Sequence, residues 1–235
     1  MHGNRQALDA VLRAADEAAV DELWCLGDMV GYGADPIACM EACTDAASRC
    51  LAGNHDLGAA GQLDLETFAD WAHDALLWTR DALGPERLEA LGRLAPCDPE
   101  GDVPLYHASV LDPVWEYVLS PQQALASLRA ARAVLVLTGH THIPAAWCLR
   151  PDGRLEGGFV QGELTVPIVE GRWLANPGAV GQPRDEDPRA AWAILDPEAR
   201  TLTFRREEYD VHGAQEAILA AGLPPSLALR LAEGR

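Results

Sequence analysis

Short apolar strands alternate with helices as far as Pro144 and are followed by a run of strands, a pattern that predicts a layered α/β sandwich. Four of the early strands also stop at a metal-capable residue, which points to one working rim on the sheet. At 235 residues, with ample apolar content and no repeat, linker or low-complexity segment, the chain is expected to form a single domain, 1–235.

The elements are expected in the following order. Asn4 to Ala19 reads as an amphipathic helix capped by Asn4, with Leu8, Val11 and Leu12 at helical spacing. Leu23 to Leu26 is a short buried strand running into Gly27-Asp28. Pro36 can open a helix that ends near Ala47, with Cys39 and Cys43 one turn apart on its inner face. Arg49 to Ala52 is a strand ending in Gly53-Asn54-His55-Asp56. A helical region from Leu65 to Leu94 is broken near Gly84-Pro85, and Val103 to Tyr106 is a strand whose end carries His107. A helix from Pro121 to Ala131 leads into strand Leu135 to Thr138 and then Gly139-His140-Thr141-His142. Beyond Pro144, antiparallel strands are expected at Ala145 to Leu149, Phe159 to Ile168, Trp173 to Ala175, Ala191 to Leu195 and Thr201 to Arg206. A helix from Gly213 to Ala221 and a short tail finish the chain.

Arg residues number 18 against 36 Asp and Glu, for a net charge of -18. That field repels nucleic-acid backbones and anionic membranes, and no basic groove offsets it. No window is long and apolar enough to span a membrane and no secretory leader is present, so a cytoplasmic protein is expected. The six cysteines include no CxxC pair and are read as small buried hydrophobes rather than a zinc ribbon or disulfide framework.

The chemistry is concentrated at the strand ends, which carry Asp28, then Asn54-His55, then His107, then His140 and His142. His140 and His142, if extended, point the same way and converge on one volume. Taken alone the pair is equally compatible with a surface loop. Of seven histidines, His2, His55, His107, His140 and His142 share glycine-rich or strand-end contexts; His73 and His212 lie in polar helical surroundings and are bystanders. Imidazoles with a carboxylate and an amide oxygen suit borderline divalent ions such as manganese, iron, zinc or cobalt. A carboxylate can bridge two cations roughly 3.5–4 Å apart, and such a pair activates water and clamps a phosphoryl group. Phosphoester hydrolysis is the chemistry implied.

With Gly27-Asp28…Tyr32-Gly33, Gly53-Asn54-His55-Asp56, His107-Ala108-Ser109, Gly139-His140-Thr141-His142 and Asn176 to Asp185, the chain resembles the calcineurin-like metallophosphoesterases, in particular the small bacterial predicted phosphodiesterases among them. The resemblance implies a four-layer α/β/β/α sandwich of two mixed sheets flanked by helices. It implies two divalent metal ions, manganese foremost, with iron, zinc, cobalt or nickel as alternatives. Asp28 would bridge them, His2 and His142 would serve the first, and Asn54, His107 and His140 the second. A metal-activated hydroxide would attack a phosphomonoester or phosphodiester, His55 would contact the phosphate and protonate the leaving group, and Asp56 would orient His55. A small phosphorylated substrate is the expected partner, touched by Asn54, His55, Tyr32 and Arg184, with Trp115, Tyr117 and Arg189 as further candidates.

The chain departs from the family pattern at its start. The family's first motif is Asp-x-His-Gly-Asn at the end of an internal strand, whereas this sequence begins Met1-His2-Gly3-Asn4. Relative to the family it is N-terminally truncated, which leads us to expect a natural start upstream of Met1, an unpaired edge beside Leu23 to Leu26 and an opened core. Ala108 and Ala179 replace a glycine and a serine common in relatives. A catalytically impaired scaffold that binds protein partners is the alternative reading, supported only by the missing aspartate.

Overall fold

A computed structural model describes all 235 residues. Asn4 caps the first helix as expected, its side-chain oxygen accepting from the Ala7 amide (3.1 Å), and α1 (Arg5–Glu17) buries Leu8, Val11 and Ala15. Next come β1 (Leu23–Cys25), α2 (Pro36–Ala46), β2 (Ala47–Cys50), α3 (Asn54–Ala59) and α4 (Asp70–Leu91). α4 is two helical segments meeting at Gly84, whose φ of 70° and neighbour Pro85 produce the anticipated break. The chain continues through β3 (Cys97–Asp98), β4 (Leu105–Tyr106), α5 (Pro121–Ala130), β5 (Leu135–Thr138), β6 (Ala145–Leu149), β7 (Leu155–Phe159) and β8 (Leu164–Pro167). It closes with β9 (Arg172–Asn176), β10 (Ala190–Asp196), β11 (Thr201–Glu207), α6 (Val211–Ala220) and α7 (Pro225–Glu233).

The architecture is α/β, with mixed sheets flanked by helices. A six-stranded sheet has the order β3-β4-β5-β9-β6-β7, in which β4, β5 and β9 are parallel and the others antiparallel. A three-stranded antiparallel sheet, β10-β11-β8, faces it, and β1 and β2 form a parallel pair. Leu105, Leu135, Leu137, Trp173, Leu202 and Phe204 fill the space between the layers. α5 covers the outer face of the large sheet with Ala124 and Leu128 against Trp147 and Leu174, and α1 lies on β10 through Val11 and Trp192. No helix is long and apolar enough to cross a membrane.

Four expectations are corrected. Phe159 to Ile168 is not one strand: the chain turns at Gly162 (φ 65°) and passes from β7 in the large sheet to β8 in the small one. β9 is not antiparallel throughout, because it inserts between β5 and β6 and runs parallel to β5. The stretch after Gly53 is helical, so Asn54, His55 and Asp56 open α3 instead of trailing from a strand. The expected tail is α7, begun by Pro225 and holding Leu227, Ala228 and Leu231 against α6 and α4.

β1 is hydrogen-bonded on one side only, to β2, and β10 on one side only, to β11. A cleft of about 1000 Å³ separates their free edges, lined by Leu12, Leu23, Val180, Trp192, Ile194 and Leu202. His2, His107, His140 and His142 also border this cleft. The unpaired edge and opened core expected beside Leu23 to Leu26 are therefore present.

Candidate metal centre

Parallel strands deliver most of the donors to one rim. The carboxyl ends of β1 and β2 lead to Asp28 and Asn54, those of β4 and β5 to His107 and to His140 and His142. β9 ends at Asn176, whose amide nitrogen donates to the Gly139 carbonyl (2.6 Å) and the Thr141 hydroxyl (2.9 Å), clamping the Gly-His-Thr-His turn. His2 arrives separately, its turn held by His2 N–H to Asp28 O (2.8 Å), Gly3 N–H to Met29 O (2.9 Å) and Gly33 N–H to His2 O (2.9 Å).

His2, Asp28, His140 and His142 all adopt left-handed backbone, with φ between 52° and 63°. Each such non-glycine residue costs roughly 1–3 kcal/mol and persists only where surrounding contacts enforce it. The same observation corrects the expected extended geometry of the histidine pair. Both residues sit in left-handed turns, and they join different groups, the division that the family resemblance implies.

Two sets of donors emerge, His2-Asp28-His142 and Asp28-His107-His140, each with ligand-capable atoms within 4.8 Å of one another and all five residues buried. Asp28 is common to both. Its Oδ2 lies 3.3 Å from His2 Nε2 and 3.4 Å from His107 Nε2, while Oδ1 accepts from the His55 amide (2.9 Å). Asn54 Oδ1 stands 3.3 Å from His107 Nε2.

The ring nitrogens that point away are already committed. His2 Nδ1 donates to Val30 O (3.1 Å), His107 Nδ1 to Leu26 O (2.7 Å) and His142 Nδ1 to Gln182 O (2.7 Å); a carbonyl can only accept, so these nitrogens carry the protons. With Nδ1 so committed, each ring turns its Nε2 inward, the arrangement of a metal ligand held by a carbonyl behind it. His140 is reversed, donating Nε2–H to Trp115 O (3.3 Å) and leaving Nδ1 as its donor atom. His2 Nε2 and His142 Nε2 face each other at 3.0 Å. Two lone pairs at that distance repel unless a cation lies beside them, so the donor set fits a divalent metal.

Electrostatics agree. Burial lowers His2 to about 4 and His140 to about 3, against partial compensation from Asp28, and holds His55 and His142 well below the usual imidazole range. Burial alone would raise Asp28, but His107 and His2 outweigh it and keep the carboxylate well below its ordinary value.

Asp56 departs from its expected role. Its carboxylate accepts from the amides of Gly53 (2.9 Å), Val30 (3.1 Å) and Met29 (3.3 Å), stitching the Asn54 turn to the Asp28 turn. The His55 Nδ1 is buried without any partner, so Asp56 positions backbone and does not orient that ring. Burial and then Asp28 push the Asp56 carboxyl up to about 7, against the pull of those amides.

Among the expected substrate contacts, Tyr32 packs between the rings of His2 (4.5 Å) and His55 (4.3 Å), and Arg184 Nη2 reaches its hydroxyl (3.5 Å). Tyr117 stacks on His140 at 4.0 Å, and Trp115 contributes its carbonyl. Arg189 is withdrawn, bound to Asp187 through Nη2 (2.6 Å) and Nε (3.0 Å). Gln182 was not foreseen: it is buried, holds His142 through its carbonyl and accepts from Arg184 at Oε1 (2.7 Å). His73 and His212 lie apart from the cluster, beside surface carboxylates, as expected.

Two outcomes follow for the metal-free protein. Asp56→Ala strands three amide donors, each worth about 1–3 kcal/mol when left unpaired, so its unfolding free energy in urea should drop by roughly 3 kcal/mol or more; a loss below 1 kcal/mol would contradict the bracing role. Because His2 and His140 have folded pKa values lowered from 6.5, the unfolded chain binds more protons between pH 6.5 and 4. The imidazoles' contribution is thus complete above about pH 6.5 and is lost as pH falls towards 4. Asp56, raised from 3.8 to about 7, acts in the opposite sense, but His55 and His142 are lowered as well, so the net change is a loss. In chelator the urea midpoint should decline across this window, and a flat midpoint would contradict neutral buried imidazoles.

Comparison with known proteins places this geometry. The model of the calcineurin-like phosphoesterase superfamily domain matches residues 1–200. A crystal structure of a metallophosphoesterase from Sphaerobacter thermophilus superposes with a TM-score of 0.88 at 39% identity, covering 100% of this chain and 96% of that one. An uncharacterised Methanocaldococcus jannaschii protein is 34% identical over 241 residues, 100% of this chain and 96% of its own length. A symmetrical bis(5'-nucleosyl)-tetraphosphatase from Chromohalobacter salexigens is 29% identical over 236 residues, 83% of this chain and 81% of that one. With a family-model match over most of its length and a donor rim that fits a divalent metal, this chain belongs to the calcineurin-like phosphoesterase superfamily.

Proposed function

We propose that this chain hydrolyses phosphoesters at a dinuclear metal centre bridged by Asp28. The observation that carries the reading is that one carboxylate belongs to two separate donor groups. His2 and His142 would complete one site, and Asn54, His107 and His140 the other, with manganese or a similar borderline ion suited to the nitrogen-rich set. When bound, such ions lower the pKa of a water and neutralise charge on the phosphoryl oxygens.

The chain's own groups supply the rest. His55, fixed to Asp28 through its amide, sits beside His2 and Tyr32 with Gly31 leaving it room: a Cβ on Gly31 would come within 2.5 Å of its Nδ1. An imidazole so enclosed has few rotamers and, kept neutral by burial, can direct its single N–H towards a leaving group. Tyr32, raised to about 12 by burial, stays protonated and serves with Arg184 and Asn54 as a hydrogen-bond donor to phosphate. The symmetrical tetraphosphatase relative supports including dinucleoside polyphosphates among candidate substrates. Retention of all the remaining donors and of His55 speaks against a scaffold, which would need none of them.

Purified protein supplied with manganese should hydrolyse bis(p-nitrophenyl) phosphate or p-nitrophenyl phosphate, and a chelator should abolish the activity. Asp28→Asn and His55→Ala should each lower kcat by roughly 100-fold or more. Rates indifferent to both substitutions would overturn the mechanism, and no manganese-dependent turnover of any phosphoester would favour the scaffold.

A further inference from the structure

All 18 cationic side chains are arginines, and ten of them pair with a side-chain carboxylate. Arg184 and Arg230 are among the eight that do not. Arg184 extends from the loop that carries Gln182, its guanidinium carbon 6.0 Å from the centre of the Tyr32 ring, with Nε and Nη2 on the neutral Gln182 Oε1 (3.2 and 2.7 Å). Arg230, on α7, lies over the Trp71 ring at 4.7 Å. Its Nε donates to the main-chain oxygen of Arg235, the last residue (2.8 Å), while its Nη1 is buried with no partner.

Tyr32 and Trp71 are themselves 5.4 Å apart and tilted by 31°, so the two guanidinium groups are mounted on one aromatic step. That step begins at the rings of His2 and His55. Burial, and next the positive charge of Arg184, lower the Arg230 pKa, the mark of like charges held near one another in a partly desolvated place. Such an arrangement, with a donor left bare, is unfavourable in the free protein and is relieved by an anion accepting from both.

We propose that Arg184 and Arg230 form a second anion subsite that takes a distal phosphate, making the substrate class one with a di- or polyphosphate chain. The chain of phosphates would run from the donor cluster across Tyr32 to Arg230. Guanidinium forks suit this task, since each offers paired donors to phosphate oxygens. The assignment rests on the phosphoesterase reading only for where the first phosphate lies.

The test is calorimetric titration of the chelator-treated full chain with tripolyphosphate and with orthophosphate. Tripolyphosphate should bind at about one per chain and at least about tenfold more tightly than orthophosphate. Arg230→Gln should weaken it about tenfold, Arg230→Lys less, and the exposed control Arg132→Gln not at all, with thermal melts confirming that each variant folds. Should Arg230→Gln not fold, Arg184→Gln carries the same test. Absence of tripolyphosphate binding, or affinity unchanged in Arg230→Gln, would overturn the subsite. Tight, Arg230-dependent binding in a protein without manganese-dependent hydrolysis would uphold the subsite while refuting the phosphoesterase reading.

Discussion

Two imidazole nitrogens facing each other at 3.0 Å, each with its proton committed to a carbonyl on the far side of the ring, set the condition that the rest of the molecule satisfies. Lone pairs so placed repel, and burial denies the rings the option of protonating. The Asp28 carboxylate beside them is likewise unbalanced by any guanidinium or ammonium side chain. A rim of buried acceptors without cations is tolerable in a protein that binds cations and a liability in one that does not.

The fold holds this unfavourable cluster by spending backbone on it. Five parallel strands, in two separate sheets, direct their carboxyl ends to one place, and four donors then take left-handed turns. Each turn has its own brace: Asp56 joins the Asp28 and Asn54 turns, Asn176 holds the turn after β5, and the Gly33 amide donates to the His2 carbonyl. Gly53 shows how close the packing is, since a Cβ there would run into the Asp28 carboxylate. The free edge of β1 and the cleft beside it border this cluster, so dense hydrogen bonding and an open cleft are neighbours.

Much of this was legible in the sequence because strand ends, glycines and metal-capable residues coincide along the chain. The layered α/β class, the capped first helix, the break at Gly84-Pro85 and the convergence of Asp28, Asn54, His107, His140 and His142 all follow from local patterns. What escaped depends on pairing or on long-range contact. Whether Asp56 orients a ring or binds three amides cannot be read from its adjacency to His55, and Arg189 looks as available as Arg184 until Asp187 is seen to claim it. The parallel insertion of β9 and the crossing at Gly162 are properties of sheet topology, which alternation does not encode. Arg230 meets Trp71 from α7, where the sequence predicts only a tail, across more than 150 residues of chain.

In the proposed centre Asp28 is shared between two metal ions. Anomalous diffraction from manganese-soaked crystals, recorded at the metal's absorption edge, tests it most directly. Two peaks are expected flanking the Asp28 carboxylate, roughly 3.5–4 Å apart, one beside His2 and His142 and the other beside His107 and His140. A single peak, or none at either donor group, would contradict it.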